Sequence, residues 1–346
     1  MGERGIRADS KGNRMMIRKS LIASFLAGSL VLAGGCATAP TGTATAAKAP
    51  TAPGGPVTIV VPFPPGGVDV IGRMMLPQLG KALGQEVGIV NRPGGTGSVG
   101  SGEVARAAPD GRTLLLAPQG PLIYQPQVAA VDYDVLRSFV PVCRVTSTPS
   151  VLMVAGTTTF NRVSDIIAAA RAAPGRIGYS SAGPGGLPHV GMAAFAKLAE
   201  IDLRHVPTAG AAASVAALKE GKAELLAEQL PIAVANAGAN QARIIGVFAS
   251  ERVAELPDVP TIREQGLDIA FQSWNVLMAP AGTSAAEVQR LQDACRQTLA
   301  AIAPELKSKM GMDPAYLGSS DTTAFITQEL PRARALAELS GLAKAK

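Results

Sequence analysis

Two glycine-rich loops hold the residues whose types and spacing best suit the binding of an anion. The first spans residues 63–69 and reads FPPGGVD, and the second spans residues 180–189 and reads SSAGPGGLPH. Each loop leads from a strand pattern into a helix pattern, so its backbone N–H groups lie at a helix N-terminus, where the dipole favours negative charge. Glycine lets the backbone approach a ligand closely, and Ser180 and Ser181 add hydroxyl donors.

The chemistry of these loops favours a carboxylate over a nucleotide phosphate. Neither loop contains the lysine that a P-loop brings to a phosphate. For either loop alone an ordinary turn is the simpler interpretation. Two such loops in corresponding places of successive strand–helix units shift the balance towards a shared anion site.

No catalytic or metal-binding pattern is present in the sequence. There is no G-x-S-x-G and no P-loop, and with His189 and His205 as the two histidines H-E-x-x-H cannot occur. Residues 95–100 read GTGSVG, but the following strand ends in Pro118 and Gln119 instead of the acidic residue that a dinucleotide site needs, so a tight turn is the better interpretation. We expect both histidines to be structural, and no enzyme activity, cofactor or metal. Cys143 and Cys295 could pair in an oxidising compartment or stay free and buried.

The elements around the loops predict an α/β fold with mostly parallel sheets. Short β-branched or apolar runs alternate with helix patterns of 10 to 15 residues, which is typical of parallel strands joined by crossover helices. Asp69 is placed as the N-cap of the first helix. The predicted strands are 57–62, 86–90, 113–117, 176–180 and 243–248, and the predicted helices are 69–83, 164–173, 189–199, 213–219 and 284–302.

The first 56 residues predict export. Residues 17–35 combine a basic start, a short apolar stretch and small residues, which is the layout of a signal peptide covering residues 1–35, with 1–14 as an upstream extension. The sequence AGG before Cys36 resembles a lipobox, so Cys36 is the expected lipidation site. Residues 36–56, rich in Ala, Thr and Pro, suit a flexible tether. Ordinary cleavage that releases a soluble protein and an N-terminal anchor helix are the alternatives.

Charge and composition exclude two classes of protein. The chain of 346 residues carries a formal charge of +6, but residues 1–35 hold +4 of it and Lys48 another +1, so the rest is almost neutral and nucleic-acid binding is not expected. Hydrophobic residues make up 47% of the chain and charged residues 17%, so it is not a disordered tail protein.

Several long segments resemble one family. The segments VTIVVPFPPGG, VNRPGGTGSVGSGEVARAAPDGRTLL, YDVLRSFVPVCRV, PGRIGYSSAG, LPDVPTIREQGL and APAGT occur in this order from Val57 onwards. They are similar to the Bug family, the extracytoplasmic receptors of tripartite tricarboxylate transporters. The resemblance implies a two-lobe periplasmic binding protein of type II, with a cleft between an α/β lobe formed by residues 57–148 and 272–346 and another formed by residues 149–271.

The resemblance also implies a ligand and the residues that bind it. Family ligands are small carboxylates held largely by backbone amides and waters from the two glycine-rich loops. The residues expected to bind the ligand are Phe63, Pro65, Gly66, Gly67, Asp69, Gln119, Ser180, Ser181, Gly183, Gly185, His189, Glu228, Gln229 and Trp274.

The expected function is that of a monomeric periplasmic receptor, attached to the membrane only through its lipid. It would deliver a mono-, di- or tricarboxylate to membrane transporter subunits. The sequence departs from the family pattern in two places. The first loop, residues 66–69, is one residue shorter than usual and lacks the Ser or Thr before the Asp, and Thr208–Gly210 lacks an aromatic residue and a cation. These departures leave open a second hypothesis, an envelope scaffold or sensor that kept the fold without tight ligand binding.

Overall fold

In the computed structural model, which describes residues 55–238 and 241–344, helices and strands alternate along most of the chain. The strands are β1 Val57–Val61, β2 Val87–Asn91, β3 Thr113–Pro118, β4 Phe139–Ala155, β5 Gly178–Ser181, β6 Arg204–Pro207, β7 Leu225–Gln229, β8 Ala242–Val247 and β9 Gln272–Pro280. The helices are α1 Val68–Leu83, α2 Ser98–Ala105, α3 Gln125–Val128, α4 Val163–Ala172, α5 Leu187–Leu198, α6 Ala211–Lys219, α7 Leu230–Asn236, α8 Ala285–Met310 and α9 Ser319–Ser340. A 3-10 turn, Gly95–Gly97, precedes α2, and a π-helical turn, Gly120–Tyr124, precedes α3.

The strands lie in the order β2-β1-β3-β9-β4-β7-β5-β6, and β8 also pairs with β4. Strands β1, β2 and β3 pair in parallel, as do β5, β6 and β7. All pairs that involve β4 or β9 are antiparallel. The α/β class is confirmed, but the expectation of mostly parallel sheets is wrong, because half of the strand pairings run through these two strands.

Strand β4 is long enough to pair with two groups of strands. Its residues 139–149 pair with β9, and its residues 150–155 pair with β7 and β8. The change of partners falls between Pro149 and Ser150. The two-lobe class agrees with this arrangement, whereas the boundaries 57–148, 149–271 and 272–346 remain a prediction.

Apolar side chains fill the space between the sheet and the helices. One cluster packs α1 and α8 against β1, β3 and β9, and it includes the disulfide between Cys143 of β4 and Cys295 of α8. A second cluster involves α5, α9 and the far faces of β3, β4 and β9, and a third lies between β4, β7, α6 and α7. The open question about the two cysteines is thereby resolved in favour of a pair, which suits an oxidising compartment.

Candidate functional site

A cavity of about 110 Å³ lies where several loops and helix starts converge. Six segments supply most of its wall: the first glycine-rich loop, the second glycine-rich loop, the turn before α6, the end of β7, the start of β9, and the turn after β3. The lining residues are Phe63–Val68, Thr96, Pro118–Gly120, Ser150, Ala182, Gly186–Pro188, Ala209–Ala212, Ala227–Gln229, Phe271, Ser273 and Asn275.

The first glycine-rich loop presents the N-terminus of α1 to the cavity. Gly66 and Gly67 have φ values of 122° and 52°, which side-chain-bearing residues rarely adopt, so the loop needs glycine at both places. Gly67 is the N-cap of α1, and no side chain caps the helix. The prediction of Asp69 as N-cap is therefore wrong, because the helix begins one residue earlier and Asp69 lies in its first turn.

Two further helices begin at the same cavity. Gly186 and Leu187 form the start of α5, and Gly210, Ala211 and Ala212 form the start of α6. The first N–H groups of any helix lack intrahelical partners, and because neither helix has a side-chain cap, no side chain at the N-cap satisfies them. The sequence predicted the third helix over 213–219, two residues short of its start at Ala211, but did not connect it with the anion site.

On the polar wall of the cavity, some side chains are hydrogen-bonded within the protein and others are not. The Gln119 side chain is hydrogen-bonded at both ends: its Nε2 donates to Ser273 Oγ at 3.2 Å and to Gln272 O at 3.3 Å, while its Oε1 accepts from Trp274 N at 2.9 Å. The Gln229 side chain and the Ser150 hydroxyl have no hydrogen-bond partner among the described residues, and both line the cavity. Gln119 therefore braces the wall, whereas the other two side chains can contact a ligand.

Asn275, like Ser150, lines the cavity although the sequence analysis did not predict it as a site residue. Its Nδ2 donates to Thr146 Oγ1 at 2.7 Å, while its Oδ1 is buried without a partner. Asn275 and Ser273 lie on the same face of β9, two residues apart, as alternation along a strand requires.

Glu228 is the ionisable residue of the cavity wall within the described ranges. It is 5% exposed, and its Oε1 accepts a hydrogen bond from the backbone N–H of Gln229 at 2.8 Å. Burial raises the pKa of Glu228 from 4.5 to about 7, against the opposing effect of that hydrogen bond. Among the described residues no lysine, arginine or histidine lines the cavity, so backbone dipoles are the source of positive potential there.

Asp69 stabilises the first loop from behind the cavity. Its Oδ2 accepts from Arg73 Nε at 2.9 Å, its Oδ1 accepts from Asn91 Nδ2 at 3.0 Å, and Asn91 Nδ2 also donates to Phe63 O at 2.9 Å. Burial alone would raise the pKa of Asp69, but the hydrogen bonds from Arg73 and Asn91 outweigh it and hold the pKa below its usual value. Asp69 does not line the cavity, so of the predicted site residues it is one that supports the loop and does not contact a ligand.

The polar groups of the second loop bond mostly to the protein itself. Ser180 Oγ donates to Ser214 O at 3.0 Å, and Ser181 Oγ lies 2.7 Å from His205 Nε2 and also contacts the backbone of Gly183. The N–H of Gly185 donates to His189 Nδ1 at 2.8 Å. The prediction that the serine hydroxyls, Gly183 and Gly185 face the anion therefore differs from the structure, where Ala182, Gly186 and Leu187 line the cavity instead.

The two histidines form a stacked pair behind this loop. The rings of His189 and His205 lie 3.8 Å apart with an interplanar angle of 16°, and Tyr179 stacks on His205 at 5.1 Å. Burial, with a smaller contribution from His205, lowers the pKa of His189 to about 4. His189 does not line the cavity, so its predicted ligand contact is replaced by packing.

Trp274 lies on the other face of β9 from the cavity. It is fully buried and packs edge-on against Phe325 of α9, with ring centroids 5.4 Å apart. Because Ser273 and Asn275 line the cavity, alternation along the strand directs Trp274 away from it. The predicted direct role of Trp274 in reading the ligand is not supported by this position.

Thr96 connects two sides of the cavity. Its Oγ1 donates to Pro184 O in the second glycine-rich loop at 2.7 Å. The φ of Thr96 is 54°, an unfavourable value for a β-branched residue. This contact had no signal in the sequence, because the glycines on either side of Thr96 are enough to explain a turn.

Residues 55–238 and 241–344 contain no group of three or more His, Cys, Asp or Glu placed to hold a metal ion. In the same ranges no helix has both the length and the apolar character needed to cross a bilayer. The predicted signal peptide, Cys36 and all but the last two residues of the tether lie outside the described residues.

The fold and the cavity define a solute-binding protein of the two-lobe periplasmic class. Residues 71–342 match the family described as "Tripartite tricarboxylate transporter family receptor", so the chain belongs to this family. A UPF0065 protein from the tcbD-tcbE intergenic region of Pseudomonas sp. strain P51 is 35% identical and aligns over 78% of this chain and 82% of its own length. Protein BugT of Bordetella pertussis is 29% identical, with 84% and 91% covered.

Solved structures agree with this assignment. The periplasmic binding protein BugD has a TM-score of 0.75 and 25% identity, with 84% of this chain and 99% of that chain covered. An R. palustris protein solved with adipate has a TM-score of 0.76 and 28% identity, covering 83% and 97%. MatC from Rhodopseudomonas palustris with bound malate has a TM-score of 0.75 and 26% identity, covering 81% and 98%. The resemblance to the Bug family is confirmed.

Proposed function

We propose that this protein is a periplasmic receptor that binds a small carboxylate in the cavity and delivers it to a tripartite tricarboxylate-type transporter. The observation that carries the proposal is the convergence of three uncapped helix N-termini, those of α1, α5 and α6, on one cavity. The dipoles of all three helices and the first N–H groups of α5 and α6 suit an anion, whereas in α1 the N–H groups of Asp69 and Val70 already bond to the carbonyls of Gly66 and Gly67 at 3.0 and 3.2 Å. A cavity shielded from water strengthens each hydrogen bond to an anion.

The relatives support the carboxylate class but not one compound. Two of the similar solved structures contain adipate and malate, both of which are dicarboxylates. The side chains that would distinguish ligands here are Ser150, Gln229 and Asn275 on the polar wall and Phe63 and Phe271 on the apolar walls. We expect the protein to be a monomer without catalytic activity.

Export to the periplasm and a lipid anchor at Cys36 form part of the proposal. The disulfide between Cys143 and Cys295 supports an oxidising location. A Cys36→Ala variant should leave the membrane fraction and appear in the soluble envelope fraction. Unchanged membrane association of this variant would refute the anchor.

The test of ligand class is a melting-temperature and calorimetric screen against mono-, di- and tricarboxylates, including adipate and malate. A ligand present at 100 times its Kd stabilises the folded state by about 2.7 kcal/mol, which a melting scan resolves. A complete absence of binding across the panel would overturn the proposal in favour of a scaffold or sensor.

Two glycine variants at opposite ends of α1 link binding to its N-terminus. Gly67 and Gly84 flank the same helix, both have positive φ (52° and 64°), and an added Cβ would meet nothing closer than 3.8 Å at either place. Gly84 has the left-handed helical conformation, with ψ 29°, so Gly84→Ala should cost roughly 1–2 kcal/mol of unfolding free energy. Gly67 has ψ −116°, which side-chain-bearing residues adopt even less readily, so Gly67→Ala should cost more. Only Gly67→Ala, which alters the cavity end of α1, should weaken carboxylate binding, and equal affinities would contradict the proposed site.

A further inference from the structure

We propose that Glu228 enters the complex as a neutral carboxylic acid and donates its Oε2 hydrogen to an oxygen of the bound anion, so that binding takes up a proton near neutral pH. The inference rests on the proposed function and deepens it by coupling ligand binding to a proton. The observation behind it is an acidic side chain in the wall of a cavity whose helix N-termini favour an anion.

The position of Glu228 leaves one of its oxygens for a ligand. The residue lines the cavity and is 5% exposed, and it lies at the end of β7 beside Gln229. Its Oε1 is occupied by the Gln229 N–H, which fixes the orientation of the carboxyl group. Its Oε2 has no partner among the described residues, so the acidic hydrogen would be carried there.

The part of the chain that the structure describes provides no counter-charge around Glu228. The elements packed against β7 are β4, β5, α5, α6 and α7, and α7 has no ionisable side chain. The ionisable side chains of the other four that do not belong to the disulfide are Arg144, Tyr179, His189, Lys197 and Lys219.

None of these five residues lines the cavity. Lys219 Nζ bonds to Asn236 Oδ1 at 2.9 Å, and Arg144 bonds to Ala315 O and lies over the Phe325 ring. Across the cavity, Asp69 is paired with Arg73. An ionised Glu228 would therefore face the bound anion as an uncompensated like charge, whereas the neutral acid supplies a hydrogen-bond donor.

The pKa of Glu228 supports the neutral form. Burial raises it to about 7, and no charged neighbour contributes to the shift. The carboxyl group therefore changes its charge near physiological pH, where a free carboxylate ligand with an ordinary pKa stays ionised. An anion that accepts the Oε2 hydrogen would raise the pKa further and draw a proton from solvent.

The experiment is calorimetric titration of the mature protein with adipate and malate at pH 6, 7 and 8, in buffers of different ionisation enthalpy. The acid form of a group with a pKa near 7 falls about tenfold between pH 6 and pH 8, so the Kd should rise about tenfold. The buffer dependence of the heat should report close to one proton taken up per ligand at pH 8 and close to none at pH 6.

Two variants isolate the role of Glu228. In Glu228→Gln a neutral amide can still accept from the Gln229 N–H and donate into the cavity, but it does not titrate, so the Kd of this variant should be the same at pH 6 and pH 8. Glu329→Gln is the matched control, because Glu329 is also buried, at 6% exposure, but bonds to Arg332 on α9 and does not line the cavity. This control should keep the full pH dependence.

The outcomes separate this inference from the proposed function. Carboxylate binding with equal affinity at pH 6 and 8, or an unchanged pH dependence in Glu228→Gln, overturns the proton coupling and leaves the receptor function intact. An affinity that rises with pH for an aminocarboxylate such as aspartate also overturns it, since an ionised Glu228 would then pair with an ammonium group. Absence of binding for every carboxylate at every pH overturns both.

Discussion

Replacing Glu228 by Gln should stabilise the ligand-free protein at alkaline pH and change it little at acidic pH. In the folded state the carboxyl group is buried at 5% exposure with no cation nearby, so ionisation is unfavourable compared with the unfolded chain. The amide has nearly the same shape and carries no charge. The difference in unfolding free energy between Glu228→Gln and wild type should therefore grow as the pH rises through the range in which Glu228 ionises.

The magnitude follows from the pKa of Glu228. The pKa rises from 4.5 in the unfolded chain to about 7 in the folded protein, so between these values the folded state binds more protons than the unfolded state, and stability falls as the pH rises. At 1.36 kcal/mol per pKa unit the penalty reaches about 3 kcal/mol above pH 7 and vanishes below about pH 4.5. Glu228→Gln should recover most of this penalty at pH 8 and almost none at pH 4.5.

Urea unfolding of both proteins without ligand, followed by circular dichroism from pH 4.5 to pH 8, measures the difference directly. Because the charge change is local, the m-value should be the same in both proteins, and the midpoints should separate with rising pH. Glu329→Gln again serves as the control for introducing a buried amide. A constant difference between wild type and Glu228→Gln across this range would refute the argument that Glu228 is a buried, uncompensated acid.

Two further predictions concern other contacts in the fold. The disulfide between Cys143 and Cys295 closes a loop across a sequence separation of 152 residues, so a Cys143→Ser/Cys295→Ser variant should lose roughly 5 kcal/mol of unfolding free energy in the chain-entropy model, and an unchanged urea midpoint would contradict this. Thr96→Ala removes the hydroxyl that bonds to Pro184 O and should speed ligand dissociation in stopped-flow measurements by about 2–10-fold, while Thr96→Ser keeps the hydroxyl and the wild-type rate. Equal dissociation rates for the two variants would exclude a role for this hydrogen bond in ligand retention.

The sequence was sufficient to predict the backbone elements of the candidate site, but it was not sufficient to predict which side chains face the cavity. A strand, a glycine-rich turn and a helix follow one another at Gly66 and again at Gly186, and local propensity alone predicts the helix starts that line the cavity. The start of α6 after Gly210 follows the same pattern of strand, glycine and helix, so it too can be predicted from the sequence.

The side chains depend on contacts between segments distant in the chain. The Gln119 side chain accepts a hydrogen bond from the backbone N–H of Trp274, 155 positions later, and the Ser181 hydroxyl bonds to His205, so neither group is left for a ligand. Alternation along β9 separates Trp274 from Ser273, but the sequence does not say which face of the strand meets the cavity. The left-handed Thr96 is stabilised by a contact with Pro184, 88 residues away, so no local rule predicts it.

The antiparallel pairings have a similar origin. Alternating strands and helices predict parallel neighbours, and β1 to β3 and β5 to β7 follow that rule. Strand β4, with 17 residues and several Ser, Thr and Pro positions, gives a weak strand signal, and its pairing with β9 joins segments more than 120 residues apart. Such a pairing is set by the whole fold and not by the local pattern.

The proposed anion site, in which helix N-termini hold the charge, has an evolutionary consequence. Most point mutations change a side chain and leave the peptide N–H in place, and proline is the one common residue that removes it. The starts of α1, α5 and α6 can therefore tolerate many substitutions without losing their attraction for an anion, as long as the glycine conformations persist. Selection can then retune the walls at Ser150 and Gln229 for new metabolites, so that paralogues of one fold can serve many nutrients while sharing the same means of holding charge.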